Sequence, residues 1–235
     1  MYKIISLSGE SKTGKNTFAE PLIKRGWVEG SFSRNLKDLC KDIFKLTEFF
    51  VSHPEGKDRT LNYSRELNPV NFAKIVGWMR KTHDLNDLES TITIVRDEHV
   101  RYPYEQTKEY KKFNKPREIL QFVGTEICRA IFPEYHMDLI AMAIEEHPNN
   151  KYIITDARFP NERQMLKSKF GATLVRIKRP GYTPEELIKS SILPEEISLK
   201  AHLSETSLGE DSEYDLVIIN NGTREELQEK AISLI

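Results

Sequence analysis

The chain has 235 residues, of which 35 are basic and 36 acidic, giving a formal net charge of -1. That balance excludes a protein held on nucleic acid or an anionic membrane by bulk charge, so any anion site must come from local clustering. No apolar run approaches the ~20 residues of a membrane span and no leader pattern is visible at the N-terminus, so the expectation is a soluble, cytosolic protein. Two cysteines, Cys40 and Cys128, lie beside apolar residues on predicted helices without histidines at ligand spacing. They read as small buried hydrophobes, not as a zinc site.

The first predicted strand, Ile4 to Leu7, runs into Gly9-Glu10-Ser11-Lys12-Thr13-Gly14-Lys15-Asn16-Thr17, and a helix is predicted from Asn16 to Lys24. Strand, glycine loop and helix in this order make a phosphate-binding P-loop. The glycines let backbone N–H groups converge, the helix N-terminus adds partial positive charge, and Lys15 adds a full one. The residue after the lysine is usually a Ser or Thr that ligates Mg²⁺. Here it is Asn16, with Thr17 one place later. The bland alternative, an ordinary glycine-rich turn, loses ground because the match sits in the first βα connection, where the motif belongs.

Gly26 stops the first helix, and a second strand is predicted from Trp27 to Phe32. Leu36, Leu39, Cys40, Ile43 and Phe44 then recur at helical spacing, with Ser33 as cap and Lys37 off the apolar stripe. Residues 48–115 are polar and mixed and read as an insertion, with a helix over 70–81 and a short strand over 91–95. Arg59, Arg65 and the basic cluster from Lys108 to Arg117 lie in or beside it. Pro116 opens a helix whose buried stripe is predicted as Leu120, Val123, Ile127 and Ile131. Arg117, Gln121, Thr125 and Arg129 share a second face with Gly124 beside it. Spacing alone leaves an anion-binding face and a solvated face evenly matched.

A helix over 137–146 is followed by the strand Tyr152 to Thr155, which ends in Asp156. Beside a P-loop, a carboxylate at a strand end is placed to hold Mg²⁺. Arg158 follows two residues later, as a cation for the same crevice or as a salt bridge to Glu162. A helix over 161–170, a strand over 174–178, Arg179-Pro180-Gly181 and a polar, lid-like segment over about 180–213 come next, the last containing His202-Leu203-Ser204-Glu205. A final strand over 215–219, the turn Asn220-Asn221-Gly222 and a helix capped by Thr223 and Glu226 close the chain. The expected fold is α/β: a P-loop NTPase with three α/β/α layers around a mainly parallel sheet. Its core covers about 1–47 and 116–235, and it carries an inserted acceptor-binding segment over 48–115.

This ordered set resembles the bacteriophage deoxynucleoside monophosphate kinases, a branch of the P-loop nucleoside monophosphate kinases. The carriers are Gly9 to Thr17, Leu36-Lys37-Asp38, Tyr63 to Glu66, Leu120 to Thr125, Asp156-Ala157-Arg158, Gly171-Ala172-Thr173, Arg179-Pro180-Gly181, His202 to Glu205 and the closing unit from Asp215 to Glu226. The resemblance implies transfer of the γ-phosphoryl group of ATP, with Mg²⁺, to a deoxynucleoside monophosphate. Carried over by position, Ser11, Lys12, Gly14, Lys15, Asn16 and Thr17 would hold the ATP phosphates. Lys37 and Arg65 would bind the acceptor phosphate. Arg117, Gly124 and Thr125 would line the acceptor nucleotide, with Arg129 a neighbour, and the loop 220–222 is placed for the adenine. The resembling kinases carry Gly-Lys-Asp-Thr where this chain has Gly-Lys-Asn-Thr.

The chemistry adds Lys15, Arg158 and Arg179 as stabilisers of the transferred group, and Asp156 and Thr17 as candidates for Mg²⁺, with Asn16 or a water-mediated contact as open alternatives. The partner expected is a small deoxynucleotide, with no direct nucleic-acid binding and no membrane. The resemblance allows a homodimer and, for a phage-encoded chain, the host cytoplasm. Two other readings stand beside this one. The first is a P-loop kinase of another small anionic acceptor. The second is a non-catalytic nucleotide switch, against which stands the lack of an Asn-Lys-x-Asp guanine-reading signature.

Overall fold

A computed structural model describes residues 3–182 and 207–235. In chain order the elements are β1 (Lys3–Ser8), α1 (Lys15–Ile23), β2 (Val28–Gly30), α2 (Arg34–Phe44), α3 (Glu48–Ser52), α4 (Pro54–Asp58), β3 (Arg65–Leu67), α5 (Pro69–Met79), α6 (Glu89–Arg96), α7 (Tyr102–Thr107), β4 (Lys111–Phe113), α8 (Pro116–Phe122), α9 (Tyr135–Glu146), β5 (Lys151–Ile154), α10 (Pro160–Phe170), β6 (Thr173–Lys178), β7 (Leu216–Ile219) and α11 (Arg224–Ile232). Wider π-helical turns run over Asp97–Arg101 and Val123–Arg129. The chain divides into two compact units, Met1–Phe32 with Ile140–Ile235, and Ser33–Leu139.

The first unit is built on a five-stranded sheet in the order β2-β5-β1-β6-β7. Every pairing in it is parallel. Ile4, Ile5 and Leu7 make β1 apolar on both faces, as a central parallel strand requires. Helices flank the sheet in a three-layer α/β/α arrangement. Phe18 and Leu22 of α1, Ile153 of β5, Val175 and Ile177 of β6 and Leu227 of α11 share its core. Gly171 closes α10 at φ +65, a left-handed cap that suits glycine. Thr223 and Glu226 form the expected capping box of α11, with Glu226 N donating to Thr223 Oγ1 at 3.2 Å and Thr223 N to Glu226 Oε2 at 2.8 Å. Because all the strands run one way, the residues leaving β1, β5, β6 and β7 emerge on one sheet edge. This is the carboxyl edge, where open α/β sheets bind ligands.

The second unit is mainly helical, with β3 and β4 as an antiparallel pair. Leu39, Phe44, Ile75, Met79, Phe113 and Ile119 are among its buried core. Residues 91–95, expected as a strand, lie within α6. Ile92 and Val95 are buried at a spacing of three while Ile94 is 64% exposed, so the burial follows a helical period and not alternation. The second strand, expected over Trp27–Phe32, pairs only over Val28–Gly30. In the helix opened by Pro116, Ile119 is fully buried where Leu120 was expected. Its core residues Ile119, Val123, Ile127 and Ile131 recur every four residues. A plain helix of 3.6 residues per turn would drift off that face, and the π-helical turns absorb the drift.

Cys40 and Cys128 are buried free thiols, and burial raises both, Cys128 to about 12. Among the described residues no helix is long and apolar enough to cross a membrane. His202-Leu203-Ser204-Glu205, and most of the segment expected as a lid, lie outside the described residues.

Candidate active site

The glycine loop leaves β1 at the carboxyl edge of the sheet. Gly9 has φ +148, and a Cβ there would come within 2.3 Å of the Ile177 carbonyl oxygen. Gly14 has φ +103, and a Cβ there would meet Asn220 Nδ2 at 2.7 Å and Leu227 Cδ2 at 2.8 Å. Both positions therefore demand glycine on space as well as on backbone angle. Lys12 adopts φ +65 without being glycine, which bends the loop further. Lys15 begins α1, and its Nζ donates to the carbonyls of Gly9 and Glu10, both at 2.7 Å. Thr13 is buried and its Oγ1 donates to the Glu10 carbonyl at 2.9 Å. The first intrahelical bond is Phe18 N to Gly14 O, so the amides of Asn16 and Thr17 precede it, at the positive end of the helix. Ser11, Lys12 and Asn16 are exposed and Thr17 is half-buried.

The ends of three neighbouring strands, β5, β6 and β7, bring further groups to this edge. Asp156, just past β5, accepts from Ser31 Oγ at 2.7 Å and from the Phe32 amide at 2.9 Å. The loop after it is fastened to β1, with Ser8 Oγ donating to the Ala157 carbonyl at 2.7 Å and Ala157 N to the Leu7 carbonyl at 3.2 Å. Glu162, the third residue of α10 and buried, accepts the amides of Arg158 at 2.7 Å and Phe159 at 3.0 Å. So the Arg158–Glu162 pair reaches the backbone of Arg158, which holds the arginine's start point. Arg179, past β6, is exposed; its Nη1 donates to the Lys12 carbonyl at 3.4 Å and its guanidinium lies 4.3 Å over the Tyr182 ring. Asn220, past β7, donates from Nδ2 to the Thr13 carbonyl at 2.8 Å. In this structure Asn220 is a strut of the glycine loop.

The residues expected on the acceptor side all lie in the second unit. Lys37 is half-buried in the first turn of α2, and no bond to its ammonium is found among the described residues. Arg65 on β3 donates from Nε to the Phe44 carbonyl at 2.7 Å and from Nη1 to the Tyr63 carbonyl at 2.8 Å, tying the start of β3 to the last residue of α2 and to the segment just before the strand. Arg117 makes a two-pronged pair with Asp58, at 2.5 and 2.9 Å, so its charge is already balanced. Gly124 is buried, and a Cβ there would meet Leu36 Cδ2 at 2.7 Å. Close packing against α2 is enough to explain that glycine. Thr125 and Arg129 are half-buried within the same π-helical stretch.

A deoxynucleotide monophosphate kinase family model matches residues 3–231. The chain belongs to that family. A protein of Acanthamoeba polyphaga mimivirus named for the same activity is 26% identical over 99% of this chain and 95% of its own. The deoxynucleoside-5'-monophosphate kinase of Escherichia phage T5 is 26% identical over 71% of this chain and 72% of its own. Among solved structures, the dephospho-CoA kinase from Campylobacter jejuni aligns with 100% of this chain and 96% of its own at 13% identity and a TM-score of 0.48.

Sequence reasoning missed the framework that holds these kinase loops. Glu10 and Arg176 form a buried pair at 3.2 Å. Arg163, 2% exposed, donates from Nη1 to the carbonyls of Arg158 and Ser207, each at 3.1 Å, and from Nη2 to Glu213 at 2.7 Å. One signal was visible beforehand: Arg176 interrupts the apolar run Leu174, Val175, Ile177. A charge in the middle of a strand buried on both faces needs a partner. The sequence names the need but not the partner, because Glu10 lies on a different element.

Proposed function

We propose that this kinase moves the γ-phosphoryl group of ATP onto the phosphate of a deoxynucleoside monophosphate, giving a deoxynucleoside diphosphate and ADP. What supports the reading is the family match over nearly the whole chain, in a chain whose loop after β1 carries the Gly-x4-Gly-Lys pattern with Gly9 and Gly14 both at positive φ. The acceptor is itself an anion, so no strong base is needed, and catalysis rests on positioning and on cations from both substrates' sides. On the donor side these are the helix N-terminus at α1, with Lys15, Arg158 and Arg179. On the acceptor side they are Lys37 and Arg65, with Arg117, Gly124, Thr125 and Arg129 around the nucleotide. Arg117 would meet an acceptor as part of its pair with Asp58, which makes it more a shaped hydrogen-bonding edge than a free charge.

The oxygens of Asp156 and Thr17 suit Mg²⁺, a hard cation that keeps several waters and binds through few protein ligands plus substrate phosphates. When bound, Mg²⁺ neutralises charge on the β- and γ-phosphate oxygens. Ser31 and Phe32 orient the Asp156 carboxylate for that role.

A coupled assay tests the reading: ADP release is expected only when a deoxynucleoside monophosphate is added, and release that ignores the acceptor would refute it. Lys15→Ala is expected to lower turnover about 10²–10³-fold with the fold intact, as loss of a preorganised charge does elsewhere; near-normal turnover would remove Lys15 from the site.

A further inference from the structure

Arg176 stands in β6 between Val175 and Ile177, in a strand paired with β1 on one side and β7 on the other. It is 9% exposed. Its Nη2 donates to Glu10 Oε1 at 3.2 Å; its Nη1 donates to the Gly209 carbonyl at 2.6 Å and lies 3.0 Å from Asp211 Oδ1. The Tyr214 ring lies 5.6 Å from the guanidinium. Its Nε is buried with no hydrogen-bond partner among the described residues. A buried ion pair with one donor unmatched is a poor way to stabilise a strand, since apolar replacements are often neutral or better. The pair is therefore better explained by what it does to Glu10.

Glu10 is the second residue of the glycine loop and is 8% exposed. Its carbonyl takes hydrogen bonds from Lys15 and Thr13. Its carboxylate has the wrong sign for a loop that receives a polyphosphate, and a partly buried charge is felt at longer range than one in water. We infer that Arg176 is a positioning residue for the donor nucleotide. It neutralises Glu10 and fixes the loop turn whose carbonyl orients Lys15, so that the loop offers a net positive mouth. The same guanidinium reaches the turn at 209–211, so that turn and the glycine loop share one cation. This inference rests on the reading of the loop as the ATP site.

The test measures ATP binding by calorimetry on the full chain without acceptor, together with steady-state kinetics. Arg176→Gln is expected to weaken ATP binding at least tenfold and raise the ATP KM to match, with kcat falling through the Lys15 it orients, while the acceptor KM changes less than threefold. Adding Glu10→Gln to Arg176→Gln is expected to bring ATP binding back to within threefold of the wild type, a repair that lost packing alone would not show. If Arg176→Gln fails to fold, the double variant has to fold and bind ATP near the wild-type level, and its failure would overturn the inference. Arg176→Gln binding ATP as the wild type does, or a double variant as weak as the single, would overturn it while leaving the kinase reading intact. A wild-type protein that binds no ATP would overturn both.

Discussion

Asp156 accepts hydrogen bonds from the Ser31 hydroxyl and the Phe32 amide, so its carboxylate is oriented by the end of β2. That arrangement separates two contributions that a substitution would otherwise mix. Asp156→Asn keeps one accepting oxygen and loses the charge. The expected stability loss is at most about 1.5–3 kcal/mol, the range for a hydrogen bond to a charged group, because these bonds are only partly buried; it is read by thermal or denaturant unfolding. The expected catalytic loss is larger and appears as a raised Mg²⁺ requirement. Turnover with an unchanged Mg²⁺ dependence would leave Asp156 as a structural clamp only. Arg65 carries a comparable double duty, since it clasps the Phe44 and Tyr63 carbonyls while standing as an acceptor-phosphate candidate.

Two elements of the second unit make distinct predictions. The π-helical stretch Val123–Arg129 brings Gly124 against Leu36. Gly124→Ala pushes a methyl group into that side chain, at an expected cost of about 1–3 kcal/mol for overpacking. Shortening Leu36 to Val in the same chain is expected to recover part of the lost Tm. An unchanged Tm with a raised acceptor KM would instead mean that the glycine serves a ligand.

The connection after α5 carries His83, whose ring packs edge-on to Phe132 at 5.1 Å and against Tyr135 at 5.0 Å. Burial lowers its pKa below the usual 6.5 and outweighs the opposing pull of Asp138, whose Oδ2 is 3.5 Å from Nε2. The folded protein therefore resists a proton that the unfolded chain accepts. Stability is fully present above the unfolded value and falls as pH drops below about 6.5. His83→Asn is expected to flatten the decline in Tm between pH 7 and pH 5.5, and an equal slope in both proteins would refute the role of His83.

At the scale of the molecule, the sheet was the most legible part. Its strands are short apolar runs bounded by glycine, proline or a terminal Asp, and their alternation with helices requires parallel pairing. The glycine loop was legible because its chemistry is local: Gly9, Gly14 and Lys15 are close in sequence and act together. The second unit was harder to read. Thr91 to Val95 alternates polar and apolar residues like a strand, and only the packing of Ile92 and Val95 makes it a helix. The supports of the site were illegible for a related reason. Arg176 with Glu10, Arg163 with Glu213 and Asn220 with Thr13 are pairs that exist only after the sheet has formed.

The strand order also has a consequence for how the protein comes into being. β1 is made before its partners β5 and β6, which are encoded far downstream, with Lys3 pairing with Lys151 and Ile5 with Thr173. The Ser33–Leu139 unit, by contrast, is continuous and can condense as soon as it emerges. During synthesis β1 and the glycine loop after it are therefore expected to stay unpaired until β5 and β6 emerge, while the Ser33–Leu139 unit can already fold. In refolding followed by pulsed hydrogen exchange, the amides of α2 and α5 are expected to gain protection before those of β1, and simultaneous protection would show that the two units fold as one. β1 would then be paired only after the unit encoded between it and its partners has formed, and the capacity to bind nucleotide would mark the end of folding.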